Sequence, residues 1–245
     1  KADIGYALDS KFYAEQETLN TDNHSLNVSF KYLPLESGKL TLEPGAKQEW
    51  NIYPYDSSSS YRQTKGFLKA NYFLNKLWST GGKYEYGHKI YNKKKAFNSA
   101  GGNAMDERAD IRHTGELWAK RQIGKYSVKL KEKAYRNDSN SIYQLYDDYN
   151  DFNTELSISG AFLKDYKLYL LLSADYEIKN YRKRPSDNSL VARKDRAIQG
   201  RFNAYYTLSK NWTCNYSFSI KKNNSNKGSG EFDDVTNSVG LTFSF

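Results

Sequence analysis

The sequence predicts an all-β protein, a transmembrane antiparallel β-barrel of twelve strands that forms one domain over residues 1–245. Three observations carry that expectation. Residues alternate apolar and polar along most of the chain, the period of a strand with two unlike faces. The composition is polar and aromatic at once. Apolar residues make up 38%, against ~45–50% in an ordinary globular chain, yet 16% are aromatic and 22 are Tyr. Finally, short polar breaks alternate with long ones, as turns on one side of a membrane and loops on the other would. Mean hydropathy is −0.87, and no stretch approaches the ~20 apolar residues of a membrane helix. The aromatic content argues against disorder. A barrel wall, with lipid on one face and water on the other, reconciles the two halves of the composition.

The segments follow in order. Segment 3–14 sets Asp3, Asp9 and Lys11 on one parity, and 24–34 sets Lys31 there. In 39–53 that parity holds Glu43, Lys47, Glu49 and Tyr53; in 61–74 it holds Lys65, Phe67, Lys69 and Phe73. Segment 82–93 opposes Lys83, Glu85, Lys89, Tyr91 and Lys93 to Tyr86, His88 and Ile90. Segment 108–121 opposes Asp110, Arg112, Glu116 and Lys120 to Ile111, His113 and Gly115. Lys129, Lys131, Lys133 and Tyr135 share one face of 125–136, and Glu155 lies in 150–163. In 166–181, Leu168, Leu170, Leu172, Ala174, Tyr176 and Ile178 oppose Lys167, Tyr169, Ser173, Asp175, Glu177 and Lys179. Phe202, Ala204 and Tyr206 oppose Arg201, Asn203 and Tyr205 in 195–208, and Trp212, Cys214, Tyr216, Phe218 and Ile220 align in 211–222. The last segment, 233–245, places Val235, Val239, Leu241, Phe243 and Phe245 on one side.

Short connections at 36–39, 75–80, 123–125, 164–166 and 209–211 alternate with longer links at 15–23, 54–60, 94–107, 137–149, 182–194 and 223–232. An even strand count with both ends on the short-turn side suits an outer-membrane barrel, and closure leaves no strand edge in lipid. A soluble sandwich would instead carry Val, Ile and Leu on its inner face. The N-terminal "KADIGYALDS" has no signal-peptide character, so a processed chain of the bacterial outer membrane is expected.

If the apolar parity meets lipid, the other lines a lumen. Its basic residues outnumber its acidic ones, seventeen to ten, within a chain of formal charge +9. Walls of low dielectric focus such an excess into a field that favours anions. The expected attractive track is Lys65, Lys69, Lys89, Arg112, Lys120, Lys129, Lys131, Lys133 and Arg201, with Tyr135, Tyr169 and Tyr205 as surfaces for sugar rings. The same inward aromatics, with ion pairs, could also plug the lumen, leaving a closed barrel that serves as a structural or adhesion platform through its outer loops.

Signs of enzyme chemistry are scarce. His88 and His113 read outward as neighbours without a serine beside them, and His24 has no carboxylate at useful spacing. A lone Cys214 gives neither a disulfide nor a metal cluster, and no cofactor is implied. The basic runs 93–95, 182–184 and 193–196 flank long links, where lipopolysaccharide phosphates and incoming anions, rather than nucleic acid, are the partners within reach.

Three stretches also carry a family likeness: "KLTLEPGAKQEW" (39–50), "SSSSYRQTKGFLKANYFL" (57–74) and "AFLKDYKLYLLLSADYEIK" (161–179). The positions concerned are Leu40, Leu42, Glu43, Pro44 and Gly45, then Tyr61 and Arg62, then Leu163, Lys164, Asp165 and Tyr166, with the ending "LTFSF". In these the chain resembles the oligogalacturonate-specific porins of the KdgM/NanC type. The resemblance implies a monomeric twelve-stranded channel for acidic oligosaccharides such as oligogalacturonate or sialic-acid-like sugars, with basic tracks along the pore. Gln63 stands where that family has Pro, and the track here is richer in Lys than Arg. Lysine offers a hydrated point charge in place of a planar fork.

Overall fold

A computed structural model describes residues 2–11, 20–35, 38–141, 148–163, 165, 167–185 and 191–243. Its strands are β1 (Ala2–Lys11), β2 (Thr21–Phe30), β3 (Leu40–Ile52), β4 (Tyr61–Phe73), β5 (Trp78–Phe97) and β6 (Asn103–Ile123), then β7 (Tyr126–Ser139), β8 (Tyr149–Phe162), β9 (Leu168–Pro185), β10 (Ala192–Thr207), β11 (Trp212–Ser225) and β12 (Phe232–Phe243). All lie in one antiparallel sheet in sequence order, β1 to β12, so all twelve expected strands are present. Lys164, Tyr166, Phe245 and parts of the links at 15–23, 137–149 and 182–194 lie outside the described residues.

Several strands outrun the alternation that announced them. β5 and β6 reach Phe97 and Asn103, which shortens the expected 94–107 link to 98–102. A backbone ladder needs no apolar side chain once it leaves lipid, so the polar "NKKKAF" continues it, with register shifts between Ile90, Lys95 and Phe97. The tip is closed by Asn98, whose Oδ1 accepts from the backbone N–H groups of Ala100 and Gly102, both at 3.0 Å. At the opposite end, β6 turns into β7 in two residues, and Gly124 holds φ +59°, where a side chain would be strained.

The sheet is inside-out relative to a soluble protein. Among the described residues, the buried apolar side chains are only Ala96 and Ala197, while Ser29, Thr41, Gln63, Arg108, Asp110, Thr114, Asp151, Ser157, Ser173 and Asp195 are buried. Val239 is 77% exposed, Leu117 69% and Ile198 62%. That much contiguous apolar surface needs lipid to cover it, and it excludes the soluble sandwich. Outward aromatics gather in two belts: Tyr72, Trp78, Tyr126, Tyr206, Trp212 and Phe243 near the short turns, and Tyr6, Trp50, Tyr86 and Tyr176 higher up. Outward polar groups bond sideways, as a lipid face requires. Tyr84 reaches His113 Nδ1 at 2.7 Å, Tyr6 reaches His24 Nδ1 at 2.7 Å, and Thr154 donates to Glu132 at 2.7 Å. His88 and His113 are not directly opposed, because His88 faces Ile111 and His113 faces Tyr86.

The first and last strands depart from expectation. Among the described residues no ladder joins β1 to β12, so the expected contact between first and last strand is not seen there.

Candidate functional site

Inward positions are set by register, and all nine basic residues of the expected track fall on the inner parity of their strands. Lys129, Lys131 and Lys133 succeed one another on β7; across β6 they face Lys120, Trp118 and Glu116, and across β8 they face Ser157, Glu155 and Asn153. Lys131 pairs with Glu155 at 2.8 Å and Lys133 with Glu116 at 3.7 Å. Arg201, although three strands away on β10, joins the same network through Glu155 at 3.1 Å and Asp175 at 3.0 Å. Lys129 and Lys120 oppose each other, and among the described residues neither forms an ion pair.

The rest of the track is dispersed. Lys65 shares Glu49 with Lys47, at 2.5 and 2.6 Å, and Lys69 approaches Glu43 at 3.7 Å. Lys89 and Arg112 lie nearer the long links, among tyrosines. The Lys89 ammonium stands 3.6 Å from the Tyr61 ring centre, and Arg112 donates to the Tyr149 hydroxyl at 2.8 Å. The expected sugar surfaces divide the same way. Tyr135 meets Tyr149 edge-on with centroids 6.0 Å apart, whereas Tyr169 and Tyr205 tilt together at the short-turn mouth, 41% and 40% exposed. Among the described residues, the ion pairs between strand positions join one strand, neighbours or next neighbours, so the charges lie along the wall.

Between these groups opens a cavity of about 400 Å³, lined by Phe67, Trp118, Lys69, Lys83, Lys129 and two carboxylates, Glu43 and Glu116. Its two rings are held against the wall by glycines. Phe67 lies over Gly45 and Trp118 over Gly81, so closely that a Cβ at either glycine would collide with the ring. The Trp118→Ala variant is expected to clear this side of the lumen and raise single-channel conductance by roughly twofold. A variant of unchanged conductance would mean that Trp118 does not border the passage.

Sequence reasoning missed Arg108, Arg193 and Asp195. The run at 193–196 was expected at the outer rim, but Arg193 and Asp195 point inward as a forked pair, with Nε and Nη2 each 2.8 Å from a carboxylate oxygen. Arg108 and Asp110 form the same fork, at 2.9 and 2.8 Å. The signal that could have found them is Arg-x-Asp, two residues apart on one face of a strand.

No protein-family model and no curated protein matches the chain. Solved structures do. The siderophore receptor PirA from Pseudomonas aeruginosa is similar at a TM-score of 0.50 and 8% identity, over 100% of this chain and 40% of that one. The fold is that of an outer-membrane β-barrel. A KdgM porin is similar at a TM-score of 0.44 and 13% identity, over 100% of this chain and 98% of that one. A KdgM porin in complex with disordered oligogalacturonate is similar at 0.41 and 13%. The chain thus spans less than half of the receptor's length and nearly all of the porin's.

Proposed function

We propose that this protein is a monomeric channel of the bacterial outer membrane that passes small anionic solutes, acidic oligosaccharides above all, by diffusion. The observation that carries the reading is the inner wall itself. Basic groups exceed acidic ones there, and Lys120 and Lys129 face each other without a carboxylate between them. A solute carboxylate can take the place of that missing counter-charge. The paired lysines can hand it on, because a channel must release what it attracts. Aromatic faces at Phe67, Trp118 and Tyr135 offer a hydroxylated ring an apolar side to rest on. The sequence likeness to oligogalacturonate-specific porins supports the same class of solute. No bond is made or broken. The outward basic residues Lys194, half-buried, and Arg196, exposed, lie near the long links and suit lipopolysaccharide phosphates, while the apolar belt meets lipid acyl chains.

Single-channel recording in planar bilayers under a salt gradient tests this. A steady current with anion preference, interrupted by added oligogalacturonate, is the expected result. Silence from folded protein would overturn the channel and favour the plugged platform, for which the many ion pairs along the wall speak.

A further inference from the structure

One constellation of side chains occurs twice, four strands apart, near the long links. In the first copy Tyr61 on β4 lies opposite Tyr91 on β5, ring centroids 5.9 Å apart. The Lys89 ammonium sits over both rings, at 3.6 and 4.4 Å. Arg108 on β6 stacks on Tyr91 at 4.8 Å while gripping Asp110 with its fork. In the second copy Tyr149 on β8 lies opposite Tyr181 on β9, centroids 5.8 Å apart. Lys179 sits over both rings, at 3.8 and 5.2 Å, and Arg193 on β10 stacks on Tyr181 at 5.1 Å while gripping Asp195. Register agrees as well, since Lys89 is opposite Asp110 and Lys179 opposite Asp195.

Chance placement of polar residues does not reproduce five side chains and their contacts. Each copy offers a ring-shaped ligand the same reception: two tilted tyrosine faces, an ammonium between them and a guanidinium already oriented by its own carboxylate. The forked aspartate neutralises the arginine, so in the first copy Lys89 remains as the charge for one ligand carboxylate. The copies differ most in charge where Gln63 faces Lys89 in the first and Asp151 faces Lys179 in the second. Asp151 is fully buried against Lys179, so it takes no part in meeting a ligand and the second copy receives a ring through its tyrosines and its oriented guanidinium. Neighbouring strands lie ~4.8 Å apart, so the two stations stand about 19 Å apart along the wall.

We infer that these are two subsites of like build that hold one linear acidic oligosaccharide at two points, so that chain length is selected at the entrance. The inference rests on the channel reading, and it adds what that reading lacks: a minimum length. A chain that reaches both stations gains from the second contact being intramolecular, whereas a short one binds either station alone.

The test is block of the open channel by galacturonate dimer and hexamer. Wild type is compared with Tyr61→Leu/Tyr91→Leu and with Tyr149→Leu/Tyr181→Leu, folding being checked by the mobility of the unheated protein. Lys89→Met and Lys179→Met replace any variant that fails to fold. Hexamer is expected to block wild type at a concentration at least about tenfold below dimer. Either station variant should bring hexamer to the level of dimer, and dimer itself should weaken by no more than about twofold. Equal block by both lengths, or a loss from one station only, would overturn the inference while leaving the channel standing. If wild type itself does not conduct, the channel reading has failed, and calorimetry of both oligomers on detergent-solubilised protein decides the subsites by the same length criterion.

Discussion

Changing Lys129, Lys131 and Lys133 together to glutamate is expected to turn anion preference into cation preference. The three positions share one face of β7, and their new carboxylates would look across at Glu116 and Glu155, which now neutralise two of the lysines. The local sign therefore inverts. Among the inward residues read from the sequence, the basic excess of seven falls to one. A field focused by low-dielectric walls follows that local sign. Reversal potential under a tenfold salt gradient is the readout, and the corresponding glutamine triple variant should fall between the two. The effect should shrink in strong salt, since the screening length drops from about 10 Å at 0.1 M to about 3 Å at 1 M. Unaltered anion preference in the glutamate variant would remove β7 from the conducting wall.

The second large effect concerns adjacent residues on the same strand. Leu130→Arg is expected to cost about 2–4 kcal/mol of stability in lipid, the usual penalty for a guanidinium on the lipid face of a barrel near the midplane. Lys129→Arg, one residue away, should be close to neutral. Leu130 is 46% exposed and lies between Ala119 and Leu156 on the outer face, whereas Lys129 borders the inner cavity. Urea unfolding in vesicles would measure both. Equal costs would mean that the parity of β7 has been assigned the wrong way round.

Much of this was legible in the sequence, and for a plain reason. With a period of two, Leu168 to Ile178 and Lys129 to Lys133 declare their faces without knowledge of any partner. All twelve strands, and the inward placement of all nine basic residues, follow from that period. Other features depend on what lies across the ladder. The sequence does not reveal that Lys131 meets Glu155 while Lys129 meets Ser157, because register between strands decides it. Arg193 was assigned to the rim because the charge run around it hid a strand that begins at Ala192. The reach of β5 to Phe97 was concealed likewise, since Lys93, Lys94 and Lys95 carry no apolar alternation to mark a strand. The seam escapes alternation altogether, as both of its strands alternate well and still show no ladder to each other among the described residues.

The scarcity of apolar side chains inside also bears on how such a protein changes over generations. In a dry core each residue is bound to its neighbours by shape, and altering one disturbs the rest. Here the lumen is polar and the backbone ladders hold the wall, so an inward residue such as Lys120 or Lys129 can be exchanged with little consequence for folding. What the passage admits can then drift separately from whether the protein persists. A lineage built on this wall could move from one solute to another by single steps, each of them viable.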